Sequence, residues 1–143
     1  MVYESPGFVS IWIGSFGSES ELFDFVDFVY DEDGDSSNAF ATEARLGWFD
    51  HDFQETRFLQ AGIADADRAL GSHSYSSSFR AAAAAAIYRA AQMGDNALFL
   101  LYDCDYDPAQ AKPNPADRLR FVGSFPYTLG APADEIDNGD KPI

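Results

Sequence analysis

Several side chains in this sequence have the types and spacing to do chemistry. His51 lies between Asp50 and Asp52, and His73 lies in Gly71-Ser72-His73-Ser74. A histidine beside a carboxylate and a serine is the raw material of a nucleophile relay, in which the imidazole takes the hydroxyl proton. Neither histidine sits in a nucleophile-elbow pattern, and a surface-loop histidine is the simpler reading. The enzymatic alternative is a small hydrolase using His73 with a nearby serine or aspartate. Cys104 stands between Asp103 and Asp105. Neighbouring negative charge raises a thiol pKa, so a packed structural cysteine is expected there. No catalytic residue is assigned, and the chain is not expected to be an enzyme.

Metal chemistry has one partial signature. Asp31-x-Asp33-x-Asp35 opens like a calcium loop. Such a loop needs Gly at its sixth position and Glu at its twelfth, because the turn and the bidentate ligand depend on them. Ser36 and Thr42 stand there instead. A weak calcium-binding module is therefore kept only as an alternative. Asp103, Asp105 and Asp107 alternate and read as the solvated side of a strand end. There is no Cys/His set for zinc, and no metal or cofactor is expected.

The acidic pattern is the most informative. Asp24, Asp27 and Asp31 recur at i, i+3 and i+7. Like charges at this spacing cost a helix about 0.2–0.5 kcal/mol per pair, and aspartate is a poor helix former. Helix stability therefore does not explain them. Phe28 stands among these acids, and Glu32, Asp33 and Asp35 follow. A solvated face would be polar throughout, whereas an aromatic set among charges is the composition of a protein-binding patch. The candidate partner-binding residues are Asp24, Asp27, Phe28, Asp31, Glu32, Asp33 and Asp35, with Asp50, Asp52 and Glu55 second.

Composition bounds these readings. The 143 residues are enough for one domain with a real core, and 46% apolar and 15% aromatic content fits a folded globule. The net charge is −15. Such a surface repels nucleic acid and anionic membrane, and favours a basic partner. Of the 24 acids, 13 fall in residues 1–60, which hold 2 of the 9 bases. A single cysteine excludes an internal disulfide. The N-terminus lacks the basic start and apolar core of a signal peptide, and no run nears the roughly 20 apolar residues of a membrane helix. A cytoplasmic protein is expected.

The elements that must position these groups follow from pattern. Residues 97–106 begin as an unbroken apolar run and then alternate, which reads as a central strand. Residues 8–13, rich in β-branched and aromatic types, form the first strand. Ser18-x-x-Glu21 is a capping box opening a helix whose apolar arc runs from Leu22 to Tyr30. Residues 38–46 read as a second helix capped by Ser36 or Ser37. Residues 48–60 are expected to be extended, and 64–70 a short helix stopped by Gly71. Residues 79–93, with six consecutive alanines, form the strongest helix, capped within Ser74–Ser78 and closed by Gly94. Residues 108–115 form a proline-rich loop, and 118–127 a strand antiparallel to the central one. The fold class is α+β, with a small antiparallel sheet of three to four strands and helices packed on it. Residues 1–129 form one domain, and 130–143 a mobile tail.

These residues carry a resemblance. Ile11-Trp12-Ile13-Gly14-Ser15-Phe16 followed at once by a Ser/Glu helix start is similar to the opening of the immunity protein 22 family. Asp50-His51-Asp52-Phe53 matches its Asp-x-Asp-aromatic segment, and Ser74-Tyr75-Ser76-Ser77-Ser78-Phe79 its Ser-Tyr-Ser-x-Ser-Phe segment. Leu101-Tyr102-Asp103 and Phe121-Val122-Gly123-Ser124-Phe125 correspond to its last two strands. The resemblance implies a bacterial antitoxin-like protein, encoded beside a polymorphic toxin and neutralising it by binding. A basic nuclease is the expected kind of toxin, because its active site must hold phosphates and an acidic protein can occupy it. The protein itself is expected to be a monomer or weak dimer.

Overall fold

Two strands carry the longest apolar runs of the chain, and they lie side by side. In the computed structural model, which describes residues 2–128, β1 (Glu4–Gly14) pairs with β5 (Ala97–Cys104) in antiparallel register from Val9 opposite Tyr102 to Gly14 opposite Ala97. Alternate residues point to opposite faces. Val9, Ile11 and Ile13 join Leu98, Leu100 and Tyr102 in one core. Trp12 joins Ala97, Phe99 and Leu101 in the other. Both strands are apolar on both faces because each face is covered by helices.

The outer strands complete a sheet of order β4-β5-β1-β6. β4 (Gln54–Phe58) pairs antiparallel with β5, and β6 (Leu119–Pro126) pairs antiparallel with β1. The expectation that the last strand runs antiparallel to β5 is therefore corrected. β1 lies between them, so β5 and β6 are parallel, joined by a crossover that holds α5 (Pro108–Ala111). Both edges are blunted against further pairing. β4 has five residues with Glu55 and Arg57 on it, and β6 shifts register opposite Ile11 and Trp12.

On the Trp12 face lie α1 (Glu19–Val26) and α2 (Ala39–Ala44), which contribute Leu22, Val26, Phe40, Ala41 and Ala44 to the core. Phe40 meets Trp12 edge-on at 4.9 Å and Phe99 at 4.4 Å between ring centroids. On the other face lie α3 (Ala66–Leu70) and α4 (Arg80–Ala90). Ala83, Ala84, Ala86 and Ile87 are the buried side of α4. The alanine run thus presents the thin face expected of it. No helix among the described residues is long and apolar enough to cross a membrane.

Several boundaries differ from the sequence pattern. α1 ends at Val26 and does not run to Tyr30. Its last carbonyl is taken by two side chains from elsewhere, Asn38 Nδ2 at 2.9 Å and Gln54 Nε2 at 3.0 Å. Asp27 turns extended, and β2 (Val29–Tyr30) pairs with β3 (Ser36–Ser37) as a small hairpin. The i, i+3, i+7 stripe therefore does not exist as a helical face. Asn38, not Ser36 or Ser37, caps α2, its Oδ1 accepting from Ala41 N at 2.6 Å. α4 begins without a side-chain cap, because Ser76–Ser78 form a 3₁₀ turn ahead of it. It ends at Ala90, and Gly94 serves the turn into β5. The expected tail at 130–143 lies outside the described residues.

Candidate functional site

The Val26 carbonyl ties together the segments that hold most of the predicted site. The end of α1, the start of α2 and the start of β4 all meet there through Asn38 and Gln54. The β2–β3 hairpin projects from this junction. Trp48 donates from its indole Nε1 to Ser36 Oγ at 2.8 Å, which draws the 48–53 segment against the hairpin. These joined segments carry Asp24 and Asp27 near the end of α1, Asp31, Glu32, Asp33 and Asp35 in the hairpin loop, and Asp50 and Asp52 in the 48–53 segment, all exposed except the half-buried Asp50.

Inside the hairpin loop, Asp31 has a structural task. Its Oδ1 accepts from the amides of Asp33 and Asp35 at 2.9 and 3.0 Å, and its own amide donates to the Asp35 carbonyl at 2.9 Å. Asp31 is thus the residue that folds the tip. Its alternation with Asp33 and Asp35 is that of an aspartate-closed turn. The triplet Asp50, His51 and Asp52 has ligand atoms within 4.8 Å of one another, close enough to hold a cation. Asp50 Oδ1 already accepts from Asp52 N at 3.0 Å, and the group is mostly solvent-facing.

No arginine or lysine among the described residues pairs with any of these eight carboxylates. Asp52 has only His51, at 3.3 Å. Arg45, which lies between the hairpin and Asp50 in sequence, turns its guanidinium to the carbonyls of Ala111 and Lys112 at 2.9 and 3.0 Å.

Two residues of the expected contact set are half-buried and have partners within the fold. Phe28 is half-buried and packs edge-on against Phe49, with centroids 5.2 Å apart. Glu55 accepts from His73 Nδ1 at 2.8 Å, from Ser74 Oγ at 2.6 Å and from Ser74 N at 3.2 Å. Burial alone would raise its pKa. The hydrogen bonds from His73 and Ser74, with the charge of His73, outweigh this and hold it at about 2. Alternation along β4 sets its direction. Glu55 pairs with Leu100, so it points to the α3–α4 face, away from the hairpin.

Most of the exposed aromatic surface is carried by other side chains. Among the described residues eight large apolar side chains are exposed, and Phe23, Val29, Tyr30, Trp48 and Phe53 are five of them. Val29, Tyr30 and Trp48 are 67, 66 and 61% exposed. Reasoning from sequence missed them because it placed Val29 and Tyr30 on the buried arc of an overlong helix. The signal that could have found them is Gly34 inside Asp31–Ser36, a hairpin turn between Val29-Tyr30 and Ser36-Ser37.

The hydrolase arrangement is not assembled. His73 is 4% exposed, and its Nε2, where a relay would meet its serine, has no hydrogen-bond partner. Ser76 gives its hydroxyl to the Gly71 carbonyl and Ser74 gives its own to Glu55. Cys104 is buried, and burial pushes its thiol up to about 11, as a structural cysteine requires.

No curated protein and no solved structure matches the chain. The sequence model of the family described as Immunity protein 22 matches residues 9–128, which span every helix of the described structure and all six strands but the first residues of β1. The likeness read from short motifs at residues 11–16, 50–53, 74–79, 101–103 and 121–125 falls within that match, and the chain belongs to the Immunity protein 22 family.

Proposed function

We propose that the protein fulfils the immunity role of its family by binding a cognate toxin, and that this toxin is a basic nuclease whose active site the acidic face covers. The observation that carries this reading is the set of carboxylates on the β2–β3 hairpin and the segments joined to it that no lysine or arginine of the described residues pairs with. Unpaired charge of one sign raises the local concentration of an oppositely charged partner and steers its approach. A nuclease cleft is cationic because it holds phosphates, so it is the complementary surface. Asp24, Asp27, Glu32, Asp33, Asp35, Asp50 and Asp52 supply charge-assisted hydrogen bonds to lysine and arginine, and Asp31 supplies charge while holding the tip. The protein performs no reaction in this scheme. It acts in the cytoplasm, as a monomer or weak dimer, by blocking access.

The test is association kinetics with the toxin domain encoded beside this gene. Asp24→Asn, Asp27→Asn and Asp31→Asn together remove three charges, and asparagine at 31 keeps the oxygen that closes the turn. The triple variant should associate about tenfold more slowly at low salt, with a flatter dependence on ionic strength. An unchanged rate and salt slope would remove the acidic face from the interface.

A further inference from the structure

A groove of about 370 Å³ lies between α2 and the hairpin, and its lining includes Phe28, Ala41, Thr42, Arg45 and Trp48. None of its lining residues is acidic. The exposed Asp27 and Asp35 are the chain neighbours of two lining residues, Phe28 and Ser36. We infer that this groove is the anchor of the toxin interface, and that its occupant is an apolar side chain of the toxin flanked by lysine or arginine. The inference rests on the toxin-binding reading above.

Two considerations select that occupant. The Arg45 guanidinium serves the carbonyls of Ala111 and Lys112 and the lining holds no carboxylate, so a cation in the groove would have no counter-ion, whereas Phe28, Ala41 and the Trp48 ring offer apolar contact to an apolar group. The unpaired acids outside the groove fit basic neighbours on either side of it. Trp48 is the wall of the groove and is 61% exposed, so docking buries a large aromatic surface. Tryptophan in a desolvated pocket at the centre of an interface, ringed by polar groups, is the usual arrangement of an energetic hot spot. The two parts of the face then act on different rates. The acids set how fast the partners meet, and the groove sets how long they stay.

The experiment measures association and dissociation of the inactivated toxin domain encoded beside this gene. Trp48→Ala removes the wall. Thr42→Phe, at an exposed position, fills the groove with a ring and serves if Trp48→Ala unfolds. Met93→Ala removes a fully exposed apolar side chain beyond α4, outside the groove. Each groove variant should dissociate about 30-fold faster, with association and its salt dependence at wild-type values, and Met93→Ala should dissociate normally. Wild-type dissociation in the folded groove variants would overturn the anchor. So would a Met93→Ala effect as large as that of Trp48→Ala, because loss of any exposed apolar side chain would then account for it. If only the acidic variants alter binding, the acidic face stands and the groove falls. If wild-type protein does not bind this toxin, both fall.

Discussion

Two sets of carboxylates among the described residues differ in their partners, and the difference separates groups that hold the fold from groups whose charge stays available. Around the hairpin, eight stand without a lysine or arginine. Elsewhere among the described residues several are held by the chain's own groups, although the exposed Glu4, Glu19 and Asp105 also lack a lysine or arginine. Asp95 is 3% exposed and takes a two-pronged bond from Arg120, at 3.2 and 2.7 Å. Glu55 is held by His73 and Ser74, Asp67 by Arg80, and Glu21 by Arg118. Glu43 accepts from the amides of Arg118 and Leu119, so it anchors the start of β6. A buried carboxylate must find a partner or lose its charge. An exposed one pays no such penalty, and its charge remains available to a second molecule.

Substitutions should expose this division as a ladder of effects. Asp95→Ala is expected to have the largest effect. It leaves Arg120 uncompensated next to a buried site and should cost about 3 kcal/mol, read from urea denaturation. A cost no greater than that of a hairpin aspartate would erase the distinction between the two populations.

Glu55→Gln should come next, at about 1–3 kcal/mol near neutral pH, because His73 and Ser74 lose a charged acceptor. Its pH dependence sharpens the comparison. The folded pKa is depressed from 4.5 to about 2, so the stabilisation is present above 4.5 and is lost as pH falls toward 2. The melting temperatures of wild type and Glu55→Gln should converge over that window. A gap that stays constant down to pH 2 would deny Glu55 its role.

Asn38→Ala removes the cap of α2 and one of the two donors to Val26, and should cost about 1 kcal/mol. The expected loss sits at the junction on which the hairpin stands, so hydrogen exchange in residues 27–37 should quicken. Paired substitution of Asp24 and Asp27 by asparagine should have the smallest effect, within about 0.5 kcal/mol by thermal melting. A larger loss would move these residues from the surface population to the structural one.

Much of the architecture could be read from the chain. β1 and β5 are legible because an apolar run is a local property. Ser18 caps α1 as read, its Oγ accepting from Glu21 N at 3.1 Å, although Glu21 returns to the Gly17 amide instead of the Ser18 amide. The acids of the hairpin were legible as unexplained charge. What could not be read was which side chains from distant segments would end an element. Asn38 and Gln54 stop α1 by taking its last carbonyl, and that converts a supposed helical stripe into a hairpin. The same event half-buries Phe28 and exposes Tyr30.

By itself, then, the sequence determined the fold class, the two central strands and an excess of negative charge in the first sixty residues. These depend on residue type and on spacing along one element. Only the tertiary structure decided which carboxylates are free, which aromatic rings face water and which strand lies beside β6. Those are contacts between residues far apart in the chain, settled by the packing of two cores on opposite faces of one sheet, and no local pattern encodes them.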